Sequence, residues 1–337
     1  MKILNVGSNS IHVSSFLKRM DEVDNYLFVE EKCDFLTKEK EFVFKIRSLN
    51  LVKVLFNILK IRSSLKKINP DIIHIHQLNR FGFLICLVID KKIPIISTAW
   101  GSDVLIMPWK NKFFYKITKY ILKRSNIVTA DSADMIHKMN SIVPSDTKYV
   151  RLQYGIQYVV SESKQNIIYS NRLHKPLYRI STIIDYFNEF VKLNPSWKLV
   201  IAGSGELTSS LKEQVFEFGI DSNVEFVGWL DQKQNHGFFA KSKVYVSIPM
   251  SDGTSVSLLE AMSAGCLPIV SDLEVTKEWI RDNKNGIVEK QTHNPFFSIE
   301  NFDLDEVASL NYEILEKNNV SSKNAKKAFI DLYKSLL

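Results

Sequence analysis

The sequence predicts an α/β protein made of two parallel-sheet domains, and three observations carry that prediction. The chain has 337 residues, room for about two domains of roughly 150 residues each. Short β-branched runs alternate with longer segments of helical period through both halves, the rhythm of strands joined by crossover helices. A polar stretch without periodicity, SESKQN at residues 161–166, separates one series from the next and reads as a linker.

In the first series the strands fall at residues 3–6, 26–29, 72–75, 94–98, 127–129 and 149–152. In the second they fall at 167–170, 199–202, 224–227, 244–247, 267–270 and 286–288. Strands alternating with helices argue for parallel sheets covered on both faces. The tail, residues 303–337, has helical pattern and no strand. The domains expected are therefore 1–160 and 166–302, with C-terminal helices 303–337 crossing back to the first domain. In such sheets ligands bind beyond the carboxyl ends of the strands, where helix N-termini point inward. The loops after strands are where function is to be sought.

Composition excludes several classes. With 45% hydrophobic and 24% charged residues the chain is neither disordered nor of low complexity. Three cysteines, Cys33, Cys86 and Cys266, match neither a disulfide framework nor a zinc pattern and suit a reducing cytoplasm. The start, MKILNVGSNS, reads as a strand running into a turn instead of an export signal, and the longest apolar run, 83–89, is far short of the ~20 residues of a membrane span.

Charge is unevenly placed: residues 1–165 carry 26 Lys and Arg against 15 Asp and Glu, net +11, and residues 166–337 carry 18 against 22, net −4, which together give +7. A basic half suits an anionic partner. Its densest segment, KNKFFYKITKYILKR at residues 110–124, has six basic and no acidic residues, with Lys112, Lys116, Lys119 and Lys123 on one stripe and Phe113, Ile117 and Ile121 on another. Such a helix suits an anionic membrane surface, or covers a sheet with its charged face in water. No nucleic-acid recognition motif accompanies the charge.

Three loops of the second half carry chemistry. In SIPMSDGTSVSLLEAMSAGCLPIVSD, residues 247–272, a strand ends near Pro249, a turn holds Asp252 and Gly253, and a helix runs from about Ser255 to Ala264 before Gly265. Its N-terminus presents the N–H groups of Gly253, Thr254 and Ser255 to an anion, and Asp252 and Glu260 flank it as acceptors for sugar hydroxyls. In WKLVIAGSGE a strand runs into Gly203, Ser204 and Gly205, a turn that brings backbone close to a phosphate; Ser209 stands where a dinucleotide fingerprint has its third glycine. In SNRLHKPLYR, Arg172, Lys175 and Arg179 place three cations after a strand, suited to a diphosphate. The DxD at Asp303 and Asp305 reads as the N-cap of a helix in preference to a metal site.

Together these loops resemble the nucleotide-sugar half of the retaining glycosyltransferases of GT-B fold, family 4. The most specific part is the acid-x7-acid motif followed by LEAMSAG, Asp252 to Glu260 here. The resemblance implies that Glu260 holds the nucleotide ribose and that Asp252, Gly253 and Thr254 contact donor sugar and phosphate. Asp252 stands where the family usually has Glu, one methylene longer. It also implies that Arg172, with Lys175 or Arg179, grips the diphosphate, Lys175 being preferred. Gly203 to Gly205, and Gly228 and Trp229 of FVGW, match loops near the base and diphosphate. In the first half, Gly7 resembles the glycine-rich loop near the diphosphate and acceptor, and IHIHQLNRFG resembles the family's HxH strand end. His74 and His76 point the same way from alternate positions, and without further ligands a buried, hydrogen-bonded histidine is favoured over a metal pair. Trp100 occupies a position where many relatives carry histidine, and Asp103 is a candidate for an acceptor hydroxyl.

What the resemblance implies as a whole is a metal-independent, cofactor-free hexosyltransferase of two Rossmann-like domains facing a cleft. It takes a nucleotide-diphosphate sugar, a UDP-sugar in the first instance, and a glycan or lipid-linked glycan acceptor, and retains anomeric configuration. The setting expected is surface polysaccharide assembly at the inner face of a cell membrane, with residues 110–124 touching the bilayer and no nucleic-acid partner. The rival readings are a nucleotide-sugar epimerase on the same fold, a noncatalytic sugar-nucleotide binding protein and a nucleic-acid binding module.

Overall fold

The computed structural model describes residues 1–46, 51–145 and 148–337. The chain divides into two compact units, Met1–Gln153 with Lys323–Leu337, and Tyr154–Ser322.

The first unit holds β1 (Lys2–Val6), β2 (Asp24–Val29), β3 (Glu41–Val43), β4 (Ile72–His76), β5 (Ile95–Thr98), β6 (Ile127–Ala130) and β7 (Tyr149–Arg151). They form one sheet in the order β3-β2-β1-β4-β5-β6-β7, with every pairing parallel. The second unit holds β8 (Gln165–Ser170), β9 (Lys198–Ala202), β10 (Val224–Gly228), β11 (Ser242–Ser247), β12 (Leu267–Ser271) and β13 (Ile287–Glu289). These are again all parallel, in the order β10-β9-β8-β11-β12-β13. The α/β reading thus holds, and β3, three residues with no apolar alternation to announce it, is the strand that the sequence reading lacked.

Central strands are buried on both faces, so they read as continuous apolar runs. All five residues of β4 and all five of β12 are buried. In each sheet the order reverses beside the first strand of the unit: β1 lies between β2 and β4, and β8 between β9 and β11. Loops leaving the carboxyl ends on either side of such a reversal diverge and leave room for a ligand. The loops after β8 and β11 are the ones that carry Arg172 and Asp252.

The boundary differs from the expected one. Residues 154–160 belong to the second unit, because Ile156 and Val159 are buried there and Ile156 pairs its backbone with Val320 and Ser322. The polar stretch 161–166 lies inside that unit: Gln165 and Asn166 begin β8, and the Lys164 ammonium donates to the carbonyls of Phe239 (3.1 Å), Ala240 (3.0 Å) and Ala264 (2.6 Å). Those carbonyls close two helices, Gln232–Lys241 and Val256–Ser263, so a single cation satisfies both ends. The tail also divides. Helix Leu304–Lys317 packs in the second unit, whereas helix Ser322–Lys334 packs in the first, burying Phe329 and Tyr333. Asp303 caps the former by accepting the N–H groups of Asp305 and Glu306. Among the described residues, no helix is long and apolar enough to cross a membrane.

Candidate functional site

In the second unit, β8 ends at Ser170 and delivers Asn171 and Arg172 to the reversal of the sheet. The Arg172 guanidinium lies 4.5 Å above the Tyr178 ring and donates Nη2 to Asp252 Oδ2 at 2.6 Å and Nη1 to Ser255 Oγ at 2.8 Å. Burial opposes its charge, but the Asp252 carboxylate outweighs that, and the guanidinium is held above its ordinary pKa. Arg172 is therefore cationic at any working pH.

Ser255 is the N-cap of helix Val256–Ser263: it is extended, and its Oγ also accepts from Leu258 N. The turn before it, with Gly253 and Thr254 buried, lines a small cavity together with Asp252, Ser255, Thr276 and Trp279. A cation and a helix N-terminus thus meet at one point, an arrangement suited to a phosphate group.

The glycine loop packs closely on the chain around Arg172. Gly203 has φ +98°, and a Cβ there would stand 2.5 Å from the Arg172 carbonyl oxygen; one at Gly205 would stand 2.5 Å from the carbonyl oxygen of His174. The glycines let this loop lie against the backbone of residues 172–174. Ser204 O accepts from His174 N at 3.2 Å, and Gly203 N donates to Gly228 O at 2.7 Å, so three strand-end loops are laced together behind Arg172. Trp229, next in the chain after Gly228 at φ +69°, is 63% exposed.

Of the two further cations in the Arg172 loop, Arg179 is already committed. It sits at φ +53° and pairs with Glu289 at 3.1 Å, a carboxylate that also accepts from the Tyr186 hydroxyl at 2.7 Å. Lys175 is exposed and its ammonium has no partner among the described residues. The availability of the two side chains favours Lys175.

Glu260 lies one turn into helix Val256–Ser263 and is buried. The structure does not bring it to Arg172; its Oε1 instead accepts from His236 Nε2 at 3.1 Å. Beneath these groups runs a polar network that sequence reasoning missed. Asn235 Oδ1 accepts from the Tyr169 hydroxyl (2.6 Å) and from Asn171 Nδ2 (3.1 Å); Asn171 Nδ2 also donates to Ser257 Oγ (3.0 Å), and Asn171 Oδ1 accepts from the Tyr245 hydroxyl (3.2 Å). Burial pushes the Tyr245 phenol up, so it stays a donor. A clue was available for Asn171, which directly precedes Arg172 at a strand end. Nothing in the sequence spacing linked residue 236 to residue 260.

In the first unit, Gly7, His76 and Trp100 follow or end neighbouring strands β1, β4 and β5. Gly7 is buried, and a Cβ on it would stand 2.9 Å from Val13 Cγ2, so it lets helix Ile11–Arg19 approach the strand end. His74 and His76 are both buried and stacked at 4.1 Å. His74 bonds the Tyr333 hydroxyl at 2.6 Å and Thr98 Oγ1 at 2.7 Å, and His76 donates Nε2 to Asn5 Oδ1 at 2.9 Å. Desolvation holds His74 well below its ordinary pKa and brings His76 down to about 3, so both are neutral. No group of metal-ligating side chains occurs among the described residues. Trp100 lies 6.0 Å from His76 and 5.2 Å from His12, ring to ring, and its indole Nε1 is buried without a hydrogen-bond partner among the described residues. Asp103 is buried and accepts the backbone N–H of Leu78 at 2.8 Å and of Trp100 at 3.0 Å, one on each oxygen. Burial raises its pKa, and those bonds commit it to holding the Trp100 loop.

The family model of glycosyl transferases group 1 matches residues 156–298, and that of glycosyl transferase 4-like proteins matches residues 3–132. The chain belongs to the group 1 glycosyltransferases, of GT-B fold. An uncharacterized glycosyltransferase of Methanocaldococcus jannaschii is 23% identical over 265 residues, 70% of this chain and 64% of that protein. The GDP-mannose:cellobiosyl-diphosphopolyprenol alpha-mannosyltransferase of Xanthomonas oryzae is 21% identical over 65% of this chain and 60% of its own. These matches span about three fifths of the length of either relative. Among solved structures, Anabaena HepE in complex with UDP and glucose superposes with a TM-score of 0.82 at 13% identity, over 99% of this chain and 100% of that one. This group 1 glycosyltransferase therefore shares its fold with a protein solved with UDP bound.

Proposed function

We propose that this chain is a retaining hexosyltransferase that moves a sugar from a nucleotide-diphosphate donor to a glycan acceptor carried on a lipid. The observation that carries the donor half is the meeting of Arg172 with the N-terminus of helix Val256–Ser263. The diphosphate binds there, with Lys175 as the second cation, and Glu260 takes the ribose hydroxyls. UDP is the preferred nucleotide because HepE was solved with it; the mannosyltransferase of Xanthomonas oryzae, named for GDP-mannose, makes GDP the alternative.

In the transfer, the bond from the anomeric carbon to the β-phosphate oxygen breaks as the acceptor hydroxyl oxygen forms a new bond on the same face. The acceptor proton passes to the departing phosphate oxygen. Negative charge grows on the diphosphate, where Arg172, Lys175 and the N–H groups of residues 253–255 stabilise it, so no metal or cofactor is called for. Asp252, short and tied to Arg172, faces the donor sugar. Gly203, Ser204, Gly205, Gly228 and Trp229 line the nucleotide side, and the acceptor is assigned to the first unit around Gly7, His76 and Trp100. The basic first unit suits a cytoplasmic enzyme working at the inner membrane face on polysaccharide precursors.

The test is calorimetric titration of UDP, GDP and their sugars, with metal chelated, into the wild type and Glu260→Ala. Binding by the wild type and a loss of about tenfold or more in Glu260→Ala is expected, the effect of removing a charge-assisted bond. Equal binding by both proteins removes Glu260 from the site. Absence of binding by the wild type removes the donor reading.

A further inference from the structure

The nucleotide site contains a carboxylate whose orientation is set by a residue on another helix. Glu260 projects from helix Val256–Ser263, and His236 from helix Gln232–Lys241. His236 Nε2 lies 3.1 Å from Glu260 Oε1. Because a carboxylate only accepts, the ring must carry its proton on Nε2 and donate it. Glu260 Oε2 has no partner among the described residues, and the side chain is 10% exposed, so that oxygen is the one left for a ligand. The helix that carries His236 is itself anchored in its first turns. The N-cap Asp231 forms a reciprocal capping box with Gln234, and Asn235, adjacent to His236, is fixed by Tyr169 and Asn171.

We infer that His236 is a positioning residue for ribose recognition: by donating to Glu260 Oε1 it fixes the carboxylate so that Oε2 accepts from the ribose hydroxyls of the nucleotide. The inference rests on the assignment of Glu260 to the ribose. A glutamate carries two sp³ torsions and one broad terminal torsion, and leaving them free at a ligand site costs affinity when the ligand must order them. One fixed donor removes that cost in the empty protein. A group that acts only through Glu260 on hydroxyls has a signature: its loss matters for a ribonucleotide and not for a nucleotide lacking those hydroxyls.

The experiment compares UDP with 2′,3′-dideoxy-UDP, and GDP with 2′,3′-dideoxy-GDP, by calorimetry on the wild type, His236→Ala, His236→Gln and Glu260→Ala, with thermal unfolding of each as a folding control. Expected are a five- to tenfold weaker ribonucleotide in His236→Ala, less than a twofold change for the dideoxy form, and recovery to within about twofold in His236→Gln, whose amide nitrogen can take the place of Nε2. An equal loss for ribo and dideoxy forms makes His236 merely structural and overturns the inference. So does unchanged ribonucleotide binding in His236→Ala. If Glu260→Ala itself fails to discriminate ribo from dideoxy forms, the ribose assignment of Glu260 falls, and the inference with it. That outcome is distinct from a normal Glu260 response with a silent His236.

Discussion

At the scale of single residues, ionisation states follow from which partner each buried group has been given. Among the described residues His74 and His76 are bonded to hydroxyl and amide groups and to no carboxylate, so desolvation decides and both are neutral. Their folded pKa values lie below the ordinary 6.5, with His76 at about 3. The unfolded chain therefore binds more protons as pH falls through 6.5, and the stabilisation is complete above that value and lost towards pH 3. We expect unfolding free energy from urea titration to fall by up to about 1.4 kcal/mol per pH unit per histidine between pH 6 and 5, where most carboxylates are still ionised. A flat profile over that interval would contradict the burial of the pair. The sequence placed these two rings on one strand face and favoured burial over metal binding. It did not show that Tyr333, 259 residues away from His74, closes that site. Asp103 is a similar case: its residue type suggested a hydroxyl acceptor, and the structure uses both its oxygens on backbone N–H groups.

At the scale of elements, periodicity located every strand but β3, because buried parallel strands are long apolar runs that helices interrupt at regular spacing. Function at this scale lies in loops whose mutual approach depends on glycine. Gly203 and Gly205 were legible as a turn beside a phosphate, but the closeness they permit is to the backbone of residues 172–174, a contact that only the pairing of β8 with β9 creates. The basic helix Lys112–Arg124 shows both aspects of its pattern at once. Ile117, Ile121 and Leu122 are buried against the sheet, while Lys112, Lys116, Lys123 and Phe113 are exposed, with Phe113 under the Arg80 guanidinium at 5.3 Å. For the proposed membrane contact, each lysine near an anionic surface contributes about 1 kcal/mol. Wild-type protein is expected to co-sediment with anionic vesicles at physiological salt, and Lys112→Gln with Lys116→Gln to bind them about thirtyfold more weakly. Wild-type binding no stronger to anionic than to neutral vesicles would sink the contact.

At the scale of the whole molecule, the division of charge matches the division of labour proposed for the two units. The basic excess falls on the unit assigned to the acceptor, residues 1–153 with 323–337, which carries 29 Lys and Arg against 15 Asp and Glu, net +14; the unit that carries Arg172, Asp252 and Glu260, residues 154–322, has 15 against 22, net −7. The two-domain architecture was legible because each half repeats the same strand–helix rhythm. Its boundary was not, because a polar stretch reads as a linker whether it is exposed or, like Lys164, saturated by helix-end carbonyls. Arg172, Asp252 and Glu260 were named from their motif; what the sequence left open was that Arg172 pairs with Asp252 and Glu260 with His236. The central claim is that Arg172 and the N-terminus of helix Val256–Ser263 together hold a nucleotide diphosphate. It is tested most directly by titrating the metal-chelated wild type and Arg172→Gln with UDP and GDP alongside uridine and guanosine. The account requires the diphosphate to lose roughly 30- to 100-fold in affinity in Arg172→Gln while the nucleoside changes little, as expected for removal of a charged hydrogen-bonding partner. Equal diphosphate affinity in the two proteins would contradict it.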